Sequence, residues 1–131
     1  MTREELIIAV DGYFDRHLDK AYWNGLSEET RAGAVVMAYN DVAGQIPGLT
    51  MDKITPDAIV INAIAEQSVF LVRNYDSIAE GKITTSESVE GVSAGYTLLG
   101  SASFGISPRA SNLIQYAKRL YCANFVRVAR G

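Results

Sequence analysis

The sequence has one cysteine, one histidine and three prolines in 131 residues, and no acid anywhere after Glu90. Each shortage removes possibilities. Cys122 alone allows no internal disulfide, and nothing in the composition asks for an oxidising compartment. A structural zinc site takes three or four His and Cys ligands, whereas His17 and Cys122 make two. Any Ser-His-Asp or Cys-His arrangement has to use His17. Its neighbours Arg16, Leu18 and Asp19 read as an exposed helix end, so His17 is expected on the surface. Long apolar runs are missing as well. Residues 59–61 and 69–72 fall far short of the roughly 20 needed to span a bilayer. The opening Met-Thr-Arg-Glu-Glu carries acids where a secretory leader carries bases. The expectation is a chain that stays in the reducing compartment where it is made.

Phosphate-binding motifs are also missing. Gly91-Val-Ser-Ala-Gly95 is followed by no Gly-Lys-Ser/Thr, and no Gly-x-Gly-x-x-Gly opens a helix. Arg109, at a helix start, is a weak candidate for a phosphate contact, and capping explains its neighbourhood better. The pairs Glu4/Glu5, Asp11/Asp15 and Glu28/Glu29 read as solvated charge and dipole complement. The expectation is no catalytic residue, no cofactor and no metal.

What is present is ordinary globular material. Hydrophobic residues make up 48% and charged residues 21%, which suits one folded domain rather than a disordered chain. The net charge of −3 hides a split: all 15 acids lie in residues 1–90 with seven Lys and Arg, a net −8. The remainder carries five bases and no acid: Arg109, Lys118, Arg119, Arg127 and Arg130. An acidic body with a basic end suggests acidic partners; helix-end charge preference and chance in a short segment account for the same split.

Helix signals recur along the chain. Thr2 and Glu5 form a capping box before Leu6, Val10, Tyr13, Phe14 and Leu18 at helical spacing. Residues 19–26 read as a connector with Trp23 folded back on the core. Ser27 caps a second helix with Glu28 and Glu29 in its first turn, running to about Gln45, where Pro47-Gly48 stops it. Thr55-Pro56-Asp57 opens a third over about 56–76, apolar on more than one face and therefore central. The Thr-, Ser- and Gly-rich stretch 82–105 suits a β-hairpin or long arm. Ser107-Pro108 starts a last helix with Ala110, Leu113, Ile114, Ala117 and Leu120 on one face, ending near Tyr121. Residues 124–131, with apolar and basic types interleaved, read as a short strand or free tail, the core of an extended C-terminal segment over 122–131. The expected fold is mainly α, a bundle of about four helices, with a domain over 1–121 and a tail over 122–131.

The order of segments resembles one family. Asp11-Gly-Tyr-Phe14 comes first, then Trp23 ahead of Ser27-Glu-Glu-Thr-Arg-Ala-Gly-Ala34, then the Ala65-Glu66 pair in a long helix. Glu87-Ser-Val-Glu-Gly-Val-Ser-Ala-Gly-Tyr96 and Ile106-Ser-Pro-Arg-Ala-Ser-Asn-Leu113 complete the set. This series, over roughly residues 3–120, resembles the head–tail connector (adaptor, head-completion) proteins of tailed bacteriophages. The resemblance implies a structural virion protein, not an enzyme, assembled in the bacterial host cytoplasm and located at the head–tail joint. It implies a homo-oligomeric ring, typically a dodecamer, that binds the portal protein and a stopper or tail-completion protein. DNA would pass through its channel without sequence-specific binding, and no membrane is involved. Under it, Glu87, Val89, Val92 and Tyr96 become candidates for contacts between subunits. Phe125, Val126, Arg127, Val128 and Arg130 become candidates for docking on the portal by strand addition. A second reading is a small single-stranded-nucleic-acid-binding protein that uses the basic C-terminal region.

Overall fold

The computed structural model describes residues 1–55, 58–79 and 105–130. These form α1 (Arg3–Tyr13), α2 (Lys20–Asn24), α3 (Glu28–Gln45), α4 (Ile59–Ala79) and α5 (Pro108–Arg130), with 3-10 turns at Phe14–Arg16 and Met51–Lys53. No strand occurs among the described residues. The expected hairpin at 82–105, with Glu87, Val89, Val92 and Tyr96, lies outside them except for Gly105, as do Pro56 and Asp57.

Helix starts follow the sequence signals. Thr2 accepts the Glu5 backbone N–H at 3.1 Å while the Glu5 carboxylate accepts the Thr2 N–H at 2.7 Å. Two donors that a helix N-terminus leaves without intrahelical partners are thereby met. Ser27 caps α3 through the Thr30 N–H. Ser107 caps α5 through the Ala110 N–H, with Pro108 in the first helical position. After α3 the chain turns through Gly48 at φ +82, a left-handed conformation that glycine adopts without steric cost.

α4 is the centre of the bundle, packing on α3, α5 and α1. Val60, Ile61, Ala63, Ile64, Ala65, Val69 and Leu71 are buried in it, as its all-round apolar character requires. Phe14 and Trp23, both fully buried, stack with ring centroids 4.7 Å apart. The Trp23 indole N–H donates to Asp11 Oδ1 at 2.8 Å, so the connector does fold back. Part of that connector is the single helical turn and a half of α2.

Three expectations are corrected. α5 does not stop near Tyr121 but continues to Arg130, so 122–130 are helical rather than an extended tail. No proline or glycine interrupts 109–130, and extending a formed helix is easier than starting a strand with no partner edge. Phe125, Val126, Arg127, Val128 and Arg130 thus lie on a helix, which has no free strand edge to add to a sheet. Leu18 is fully exposed, because α1 ends at Tyr13 and the chain leaves helical register before position 18. Leu120 is half exposed and does not share the buried stripe of Ala110, Ile114 and Ala117.

Candidate functional site: a buried polar cluster on the central helix

In the middle of α4 the apolar sequence is broken by Glu66, Gln67 and Ser68, and all three are buried. A buried carboxylate or amide is costly unless its hydrogen bonds are met, and each of these is met. Ser68 turns its hydroxyl back to the Ile64 carbonyl of its own helix at 2.7 Å. Glu66 and Gln67 instead reach other elements.

Glu66, with its side chain 4% exposed, gathers three donors. Oε2 accepts from the Tyr13 hydroxyl at 2.6 Å and lies 2.7 Å from His17 Nε2. Oε1 lies 3.2 Å from Arg109 Nε at the start of α5. His17 Nδ1 accepts the Asp19 backbone N–H at 2.9 Å, so the proton of the neutral ring sits on Nε2 and is donated to Glu66. The imidazole is wedged between rings, 5.0 Å from Phe14 and 5.4 Å from Tyr13. His17 is therefore not the surface residue that its neighbours suggest. The 3-10 turn after α1 swings it back under the helix end toward α4.

Burial pushes the Tyr13 hydroxyl above the ordinary tyrosine range, and its bond to the Glu66 carboxylate pushes the same way. Arg109, beside the Tyr13 hydroxyl and the Glu66 carboxylate, is held still more firmly in its charged form. Next to the cluster, Arg73 donates to Asp19 Oδ1 at 2.8 Å and lies 3.8 Å over the Tyr22 ring. Both Arg73 and Asp19 face solvent in part, so that pair is worth well under about 1 kcal/mol.

Gln67 joins a different set of elements. Its Nε2 donates to Asp41 Oδ2 of α3 at 2.9 Å and to the Gly105 carbonyl at 2.6 Å. Its Oε1 accepts the Ser107 N–H at 2.9 Å. Burial raises the Asp41 carboxyl above the usual range, and the Gln67 bond partly offsets this. Gly105 sits at φ +80, where a side chain would be strained, and presents its carbonyl to Gln67.

Tyr13, Arg16, His17, Leu18, Asp19, Glu66 and Arg109 line an open cleft of about 580 Å³. Chemically the cluster is inward-facing. Both ring nitrogens of His17 and both oxygens of Glu66 are engaged within the fold. A substrate would have to displace one of those bonds before either group acted as base or acid. No group of three His, Cys, Asp or Glu side chains suited to a metal occurs among the described residues. Arg109 is directed to Glu66 rather than offered to a phosphate at the helix start. The cluster holds α1, α4 and α5 together.

The missed residues are His17, Glu66 and Gln67. One signal was present in the sequence: three consecutive polar residues, Glu66-Gln-Ser68, inside the mostly apolar run 58–72. Comparison with known protein families, with characterised proteins and with solved structures finds no match to this chain.

Proposed function

We propose that the chain is a structural subunit of a bacteriophage head–tail connector, a ring that binds the portal and carries the DNA channel on toward the tail or stopper. The observation that carries this reading is a junction of two segments on which the resemblance rests. The Ala65-Glu66 pair and Ser107-Pro-Arg-Ala110 meet directly, through Glu66–Arg109 and through Gln67 with Gly105 and Ser107. In sequence, residues 80–104, with the Ser-Val-Glu-Gly-Val-Ser segment, lie between α4 and this junction. Gly105 and Ser107, which follow them, are fixed by buried polar bonds to the central helix. A ring subunit that passes force or position between portal and tail needs such a fixed root. The excess of acid in residues 1–90 suits a channel wall, because it gives phosphates few cations to hold.

Electron microscopy of particles whose genome encodes this chain tests the reading. A ring of this fold is expected at the portal–tail joint. Particles that lack the chain and still join heads to tails would refute it.

A second reading has its own observation. α5 is 23 residues long and carries Arg109, Lys118, Arg119, Arg127 and Arg130 with no acid. A single-stranded-nucleic-acid binder using this helix would show binding that weakens steeply with salt and falls on Arg127→Ala/Arg130→Ala.

A further inference from the structure

Two surfaces stay open among the described residues, one an apolar groove and the other a mixed helix ridge that carries two exposed apolar side chains. The first is a groove of about 350 Å³ between α3 and α4, walled by Met37, Leu71, Val72 and Tyr75, with Gly33 and Glu29 also lining it. Met37 and Tyr75 are 43% and 51% exposed. A side-chain carbon placed on Gly33 would meet nothing within 4 Å among the described residues, so the groove is open down to the α3 backbone. The second surface is on α5. Asn112, Gln115, Tyr116, Arg119 and Leu120 are all exposed, at the i, i+3, i+4, i+7 and i+8 positions of one helix face. Tyr116 and Leu120 are 54% and 47% exposed.

The two surfaces match in shape and charge. One is a groove and the other a helix ridge, which is a recurring mode of recognition. Among the described residues that line the groove Glu29 is the only charged one, whereas α5 carries bases and no acid. Both surfaces are exposed in the same folded chain, so neither covers the other within it. We propose that α5 of one copy seats Tyr116 and Leu120 in the α3–α4 groove of a second copy, with Arg119 directed to Glu29. Because the two patches differ, the contact is head to tail, and its repetition closes a ring or extends a filament. The occupant is thus a second copy of this chain. This names the subunit contact of the connector and rests on that reading only for ring closure.

Disulfide trapping tests the contact. Two proteins in a Cys122→Ser background, one with Met37→Cys and one with Tyr116→Cys, are mixed under mild oxidation. The mixed disulfide is expected to exceed either like pair several-fold. Adding Gly33→Leu to the Met37→Cys chain fills the groove while favouring the helix. It is expected to abolish the mixed disulfide with helix content and melting temperature unchanged or raised. Like pairs as abundant as the mixed pair overturn the proposal, as does a mixed disulfide that survives Gly33→Leu. So does no disulfide at all, the result if another segment of the chain or a different protein fills the groove. Particle imaging separates this from the functional reading. A ring at the joint without the mixed disulfide removes only the groove contact, and the disulfide without a ring removes only the connector.

Discussion

Tyr13 and Glu66 are 53 positions apart in the chain, and the Tyr13 hydroxyl donates to the Glu66 carboxylate across 2.6 Å. With His17 Nε2 at 2.7 Å from the same oxygen, the end of α1 is bound to the middle of α4 at two points. The carboxylate is buried, so its value lies in what its removal would strand. Glu66→Ala leaves a tyrosine hydroxyl, an imidazole N–H and a guanidinium without their acceptor. The expected loss is about 3 kcal/mol, in the range for breaking a buried charged network. Glu66→Gln keeps the shape and one acceptor oxygen and is expected to lose about half as much. Urea denaturation followed by far-UV circular dichroism checks both, through a lower midpoint at unchanged slope.

Tyr13 makes stability depend on alkaline pH. Its folded pKa is raised by burial and by the Glu66 bond. The neutral phenol is therefore favoured in the folded state. Its contribution is complete below the tyrosine range of about pH 10 and is lost as pH rises through the higher folded value. Ultraviolet titration of tyrosinate should show one of the seven tyrosines ionising late, and Tyr13→Phe should remove that late step. Loss of stability above about pH 10 should also be shallower in Tyr13→Phe. An unchanged titration would show that the Tyr13 hydroxyl is neither buried nor bonded to Glu66 in solution.

Local signals carried most of the fold and little of the cluster. Thr2/Glu5, Ser27 and Ser107-Pro108 announce helix starts because each cap acts on backbone within three residues. Trp23 announces its own burial by its size. The partners of Glu66 lie 49 and 53 positions upstream and 43 downstream, beyond any local rule. His17 illustrates the difficulty. Charged neighbours pointed it to solvent, but the 3-10 turn after Tyr13 shifts its direction in a way that helical periodicity does not encode. The helical end of α5 was legible but misjudged. In Phe125-Val-Arg-Val-Ala-Arg130 the bases are three apart rather than two, which is nearer the helical period than the strand period, and the helix that precedes them continues through them.

Trp23 gives a direct optical probe, being the single tryptophan of the chain and fully buried against Phe14. Its emission in the folded protein should be blue-shifted and should move to the red on unfolding. Asp11→Ala removes the acceptor of its indole N–H and is expected to cost about 1 kcal/mol, with little change in emission wavelength. Trp23→Ala should cost about 3–5 kcal/mol, because a large cavity opens where α1 and α2 meet the core. Equal losses in the two variants would mean that the hydrogen bond, not packing, fixes the connector.

Gln67 ties the start of α5 to α3 through α4, so its replacement should act at a distance and in a pH-dependent way. Gln67→Leu fills much of the same space but strands the Gly105 carbonyl, the Ser107 N–H and the Asp41 carboxylate. About 2–3 kcal/mol of destabilisation is expected at neutral pH. The Asp41 carboxyl is already raised by burial, and Gln67 supplies the bond that opposes the rise. A raised folded pKa means that the contribution of Asp41 is complete below about pH 4 and is lost as pH climbs through the folded value. Without Gln67 that value rises further, so the extra cost in Gln67→Leu should grow from about pH 4 toward neutrality. Asp41→Asn on the Gln67→Leu background should remove the growth and leave only the part due to Gly105 and Ser107. A pH-independent difference between Gln67→Leu and the parent would show that Asp41 is solvated through another route. Hydrogen exchange at Ser107 supplies the second readout. Its amide should be protected in the parent and exchange quickly in Gln67→Leu, because the Gln67 acceptor has gone.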